Sequence, residues 1–191
     1  MQLMQHPAFQ NMRLAGGTAL ALQIGHRKSV DLDLFGSVDF ESLDWQEVFA
    51  DFDSVIPIKR SKNINVFAIN SIKVDFVNYN YPWLNNILLE KNIRMASLSD
   101  IAAMKLAAIT GRGSKKDFVD IYFLLERFTL DQLLEFYQEK YRDGSSFLVL
   151  KSLSWFEDAD KDADLNMIAD VSWEFIKQEI SKQLQNYFLD Q

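Results

Sequence analysis

Along the first eighty residues the polar and apolar positions keep changing period. Asp31-Leu-Asp-Leu-Phe alternates with a period of two, the pattern of a strand buried on one face. Val55–Lys59, Ile64–Ile69 and Ile72–Tyr79 read as further strands, the last two joined at Asn70-Ser71 by a hairpin turn. Arg13–Ala15 is a short extended run that stops at Gly16-Gly17; Thr18–Ile24 has helical character, and Asp44–Phe52 fits a short helix. Past Pro82 the period lengthens. Leu98–Thr110 sets Ile101, Met104, Lys105 and Ala108 at helical spacing behind a predicted cap at Ser99-Asp100. Lys115–Phe128, Leu130–Tyr141, Phe147–Phe156 and Val171–Leu189 continue as helices. The pattern predicts an α+β chain: a small α/β half over residues 1–90, then a helical half over 91–191, with the change of character near 82–98.

Composition narrows the chemistry. The chain has 191 residues, 48% of them hydrophobic, enough to bury a full core, so global disorder is excluded. It has no cysteine, which excludes a disulfide framework, a thiolate metal site and a cysteine nucleophile. Only His6 and His26 are available as imidazoles, so a multi-histidine zinc site cannot form. A metal would have to be held by carboxylates, which points to magnesium or manganese. No signal-peptide pattern opens the chain and no apolar run is long enough to span a bilayer, so a cytoplasmic, membrane-free protein is expected.

The net charge of −7 is uneven: residues 91–127 carry a net +3 between two acidic flanks. Global acidity argues against broad nucleic-acid binding, while a local basic segment remains able to grip phosphates.

Candidate chemistry concentrates at Gly16-Gly17-Thr18 and, twelve residues on, Asp31-Leu32-Asp33. Positions i and i+2 of a strand share a face, so the two carboxylates converge while Leu32 and Leu34 enter the core. Adjacent carboxylates repel unless a cation sits between them. A divalent metal resolves that conflict and also bridges phosphate oxygens. The glycines let backbone amides approach phosphate at a helix start, and the Thr18 hydroxyl can add a hydrogen bond. An isolated Asp-x-Asp is usually plain surface; the Gly-Gly-Thr turn is what argues otherwise.

Asp75 is an acid within the apolar run Ile72-Lys-Val-Asp-Phe-Val. Either Lys73 or another strand pairs with it, or it completes a metal-binding triad and accepts a proton from an attacking hydroxyl. In residues 105–128, Asp117 and Asp120 share one side of an almost wholly apolar helix, near Lys105, Arg112, Lys115 and Lys116. They form either a salt-bridge network between helices or a frame in which Lys105 and its neighbours hold a triphosphate and Asp120 orients them. Arg27 is placed to clamp phosphate, and Ser29 sits two residues before Asp31 on the same face. His26 reads as a turn hydrogen-bonder.

Taken together, LAGGTALALQIGHRKSVDLDLF, VDFV and KLAAITGRGSKKDFVDIYFLL resemble the AbiEii/AbiGii-type nucleotidyltransferases, members of the polymerase-beta-like nucleotidyltransferase superfamily known as toxins of toxin–antitoxin and phage-defence systems. The resemblance covers residues 13–128 most strongly. It implies a nucleotidyltransferase-fold mixed sheet flanked by helices, then a helical bundle completing the nucleotide cleft. It implies metal-dependent transfer of a nucleoside monophosphate from an NTP, with pyrophosphate released. By motif, Gly16, Gly17, Thr18, Arg27 and Ser29 surround the phosphates, and Asp31 and Asp33 are metal ligands. Asp75 is the third acid, Lys105 with Lys116 meets nucleotide phosphates, and Asp120 is the acid of the following helix. The acceptor end of tRNA is the implied acceptor and a cognate antitoxin the implied partner, with a monomer favoured. Two other readings stay open from the residues: transfer to an aminoglycoside-like small molecule, and a catalytically silent nucleotide-binding interaction protein.

Overall fold

A computed structural model describes residues 2–189. Seven strands form one mixed sheet: β1 (Arg13–Ala15), β2 (Leu32–Gly36), β3 (Val55–Lys59), β4 (Ile64–Ile69), β5 (Ile72–Asn78), β6 (Leu88–Glu90) and β7 (Ile93–Met95). Their order across the sheet is β3-β4-β5-β2-β1-β7-β6. Within this half, α1 (Gly16–Ile24) follows β1 and α2 (Trp45–Val48) follows β2. The second half is helical: α3 (Leu98–Gly111), α4 (Lys115–Leu125), α5 (Leu130–Lys140), α6 (Ser146–Leu153) and α7 (Trp173–Leu189). The α+β expectation holds.

Strand alternation sorts the sheet into two chemically distinct faces. Leu14, Leu34, Val74, Phe76 and Phe67 are buried together on one. Phe9 and Trp45 pack onto them, with ring centroids 4.8 and 5.5 Å from Phe76. Asp33 and Asp75 point the other way, because each is one residue out of phase with a core position.

Three local expectations are corrected. The segment 44–52 is helical only at Trp45–Val48, capped by Asp44. Phe49 then packs 4.8 Å from Phe67 and 6.3 Å from Phe52, so aromatic burial bends the chain where propensity alone would extend the helix. The cap of α3 is Ser97, whose Oγ accepts from the Asp100 amide at 3.1 Å; Ser99 and Asp100 lie inside the first turn. Strands β6 and β7, which the pattern left unassigned, form a hairpin turning at Lys91 and Asn92, both with positive φ. It extends the sheet beyond β1.

The helical half packs around α3, which touches α1, α4, α5 and α6. Lys140 at the end of α5 is fully buried; its Nζ donates to Asp100 Oδ1 and the Pro82 carbonyl, each at 2.7 Å. This ties the helices to the segment leaving the sheet. Among the described residues no helix is long and apolar enough to cross a membrane.

Candidate active site

Three elements converge where β1 ends. The chain turns from Ala15 into α1 through Gly16, whose φ is +65°. A Cβ there would lie 2.3 Å from Asp33 Oδ2, so only glycine lets the turn sit against that carboxylate. A Cβ on Gly17 would meet Arg27 Nη2 at 2.3 Å. Thr18 is buried; its hydroxyl donates to the Asp31 carbonyl and lies 2.8 Å from Ser29 Oγ. Thr18 thus pins the entry to β2 to the start of α1, where the sequence suggested a hydroxyl left over for phosphate.

Asp33 lies opposite Ala15 on β1 and, in parallel register, opposite Asp75 on β5. The two carboxylates therefore occupy adjacent strands on one face, with Asp31 two residues upstream. Burial first, then the charge of Asp75, pushes the Asp33 carboxyl above its ordinary value; Lys105 and Lys73 pull against this, and Asp31 adds to it. Asp75 is 22% exposed, and its Oδ1 accepts from Lys73 Nζ at 2.5 Å. Of the two fates open to Asp75, pairing with Lys73 is the one seen. Among the described residues no three acidic or imidazole side chains are gathered tightly enough to cage a cation as they stand. Asp33 and Asp75 stand as an in-register pair, with Asp31 beside them and Lys73 on Asp75.

Behind these acids lies a second, buried cluster. Asp120, on α4, accepts from Arg27 Nε at 2.7 Å and Nη2 at 2.9 Å, and from His26 Nε2 at 2.7 Å. Lys105 Nζ of α3 is 2.5 Å from Asp120 Oδ2 and 3.0 Å from Asp117 Oδ1. Arg112 and Ser114 complete Asp117, each at 2.7 Å from Oδ2. Both aspartates are fully buried. Burial alone would raise their carboxyls. The Arg112 hydrogen bond and the Lys105 charge instead hold Asp117 down at about 2. Lys105, His26 and Arg27 hold Asp120 well below the usual carboxylate range. Burial would likewise lower Lys105, but the charges of Asp120 and then Asp117 carry it above the ordinary lysine value.

Arg27 and Lys105 are 5% and 4% exposed. Their charges are engaged by Asp120, so neither is free to grip a phosphate in this arrangement. The salt-bridge network, one of two readings open from sequence, is what their burial produces. Lys116 is half-buried in the first turn of α4 and makes no ion pair with that network. Arg112, absent from the sequence-derived site, contributes here: its side chain is 57% exposed and its charge is felt by Asp33. The signal for it was the Gly113 turn, at φ +53°, which folds Arg112 back onto Asp117 five residues later.

The face thus holds repelling carboxylates beside a glycine turn, backed by a buried ion-pair lattice that ties the segment after α1 to α3 and α4. Such a face suits a polyphosphate bridged to the acids by a cation.

The sequence matches the family described as "Nucleotidyl transferase AbiEii toxin, Type IV TA system" over residues 1–190. It is 37% identical over 183 residues to an uncharacterized protein, aq_aa25, of Aquifex aeolicus (strain VF5), covering 91% of this chain and 88% of that one. The fold resembles the crystal structure of JHP933 from Helicobacter pylori, with a TM-score of 0.64 at 19% identity, covering 97% of this chain and 85% of the other. It also resembles the nucleotidyltransferase toxin MenT4 from Mycobacterium tuberculosis, with a TM-score of 0.58 at 17% identity, covering 97% and 80%.

Proposed function

The chain belongs to the AbiEii nucleotidyl transferase toxin family, and from that premise we propose that it moves a nucleoside monophosphate from an NTP to a hydroxyl of an RNA, the acceptor end of tRNA being the expected target. The observation that carries this reading is the in-register Asp33–Asp75 pair against Gly16, an acid face whose repulsion no protein group fully relieves.

Asp31, Asp33 and Asp75 would hold a divalent ion, magnesium or manganese. Two features make these residues a fit: burial and then the charge of Asp75 hold Asp33 above its ordinary value, and the side-chain-free Gly16 turn lies directly against its carboxylate. Such an ion supplies neutralisation of charge shared between carboxylates and phosphate oxygens. The chain's own groups do the rest. Amides at the Gly16-Gly17 turn and the Ser29 hydroxyl orient the triphosphate, with Lys116 at its rim. The acceptor oxygen attacks the α-phosphorus in line; the bond to the β-phosphate oxygen breaks and pyrophosphate leaves. Asp75, once released from Lys73, takes the hydroxyl proton. Arg27 and Lys105 act from behind, Arg27 by buttressing Gly17 and Lys105 by drawing down Asp33.

The RNA acceptor is favoured over a cationic small molecule by a basic, aromatic-lined cleft beyond the acid face, described below. An antitoxin partner follows from the family's toxin–antitoxin setting. The test is to incubate the protein with each α-labelled NTP, magnesium and total RNA. Label should join RNA for one preferred NTP and vanish with Asp31→Ala. Label that joins no acceptor, or that survives Asp31→Ala, refutes the proposal.

A further inference from the structure

A cleft of about 840 Å³ lies outside the acid site and takes no part in the chemistry above. It opens where β2 and β5 end. The Tyr79 amide bonds the Gly36 carbonyl at 2.8 Å, so β5's pairing continues one residue beyond the strand. Tyr79 is four residues past Asp75 and therefore on the same sheet face, roughly 13 Å along it at 3.3 Å per residue. Phe35, two residues past Asp33, bridges the interval and meets Tyr79 edge-on at 5.2 Å.

The lining is unusual for so acidic a chain. Arg13, Arg94, Lys140 and Arg142 face the cleft, against a single acid, Asp143. Lys140 is answered by Asp100 behind it, and Arg94 is fixed by the carbonyls of Met4, Phe9 and Met12. That leaves the exposed Arg142, together with Arg13, which lies 4.3 Å over the Trp83 ring and donates from Nη1 to the Asn85 carbonyl at 2.8 Å. Aromatic rings supply the remaining wall. Tyr79 stands 5.3 Å from both Tyr81 and Trp83, and Tyr81, which also meets Tyr141 edge-on at 4.7 Å, keeps 52% of its surface exposed. Open aromatic faces beside guanidinium groups accommodate unstacked bases and their phosphates, whatever the sequence. A base-paired duplex hides its ring faces and gains nothing from such a wall.

We infer that this cleft docks a single-stranded stretch of the acceptor RNA, holding it while its terminal hydroxyl reaches the acid face. This rests on the RNA-acceptor reading above and adds the surface and the strandedness.

The test measures binding of a fluorescein-labelled eight-nucleotide RNA to the full chain by anisotropy, using the catalytically disabled Asp33→Asn protein so that no transfer occurs. Tight binding of the single strand is expected, with much weaker binding of the same sequence annealed to its complement. Tyr81→Ala should weaken binding about tenfold or more. Tyr81→Phe should restore it, since stacking needs the ring and not the hydroxyl. Arg142→Ala should lower the slope of log affinity against log salt by about 0.7. Near-ultraviolet circular dichroism confirms folding of each variant. The inference is overturned if the single strand does not bind, if the duplex binds equally well, or if Tyr81→Ala and Arg142→Ala together change affinity less than twofold. Failure of nucleotide transfer with these binding results intact would count against the catalytic proposal alone.

Discussion

Two groups of aspartates lie back to back across Lys105, and they are built to opposite rules. Asp117 and Asp120 are fully buried and surrounded by cations: two arginines, a lysine and a histidine. Asp31, Asp33 and Asp75 sit nearer the surface, where Asp33 faces Asp75 and one lysine, Lys73, pairs with Asp75. The first group is held below the ordinary carboxylate range, while Asp33 in the second is held above it. Burial pushes Asp33, Asp117 and Asp120 alike upward, so depth does not separate the groups; the neighbours do. An acid with its cations in place is finished structure. An acid lacking them still has a charge to be met from outside, and that is where an enzyme keeps its work.

The comparison breaks most visibly in activity. Replacing Asp33 by Asn should reduce nucleotide transfer on the order of 10³-fold, as loss of a group acting directly on the reacting charge does, while the thermal melt stays put or rises. Label transfer and calorimetry on the same sample check both halves of that statement. The mirror experiment is Asp120→Ala. It strands Arg27 and Lys105 in the interior and should cost about 3–5 kcal/mol of stability, read from the urea midpoint.

Acid titration sharpens the contrast. Asp117 titrates at about 2 when folded against 3.8 in its unperturbed state, so its contribution is complete above pH 4 and fades as pH falls towards 2. The difference in unfolding free energy between wild type and Asp117→Asn should therefore shrink by about 2 kcal/mol across that window. Asp33 runs the other way. Its folded value is raised, so wild type loses stability as pH climbs from 3.8 through that raised value. Asp33→Asn should then be the more stable protein at neutral pH. A variant that is less stable at pH 7 than at pH 4, relative to wild type, would show the repulsion argument to be wrong.

What could be read in the sequence was what repeats locally. The alternation of Asp31–Phe35 and Ile72–Val77 gave both the strands and the shared face of Asp33 and Asp75, because side-chain direction follows from the period. The glycine turn was legible because few residues tolerate its backbone. The partners were not. Arg27 and Asp120 are 93 positions apart, and composition names the ions without saying which meet. Lys73 was legible as a neighbour of Asp75, but only coordinates distinguish pairing from a free triad. Strands β6 and β7 escaped because each has three residues and their turn at Lys91-Asn92 carries no glycine. In α2 the pattern was helical, and the aromatic cluster prevailed over it.

The sharing of Asp120 has a consequence for anyone dissecting the molecule. A fragment ending at residue 114 would keep Arg27 and Lys105 in its interior yet lack both carboxylates that balance them. The complementary piece would carry two sunken anions with the same grievance. Neither portion is a self-sufficient module, so truncation libraries and split-protein reporters cut at that joint should yield insoluble halves, and only co-expression gives them a reason to fold.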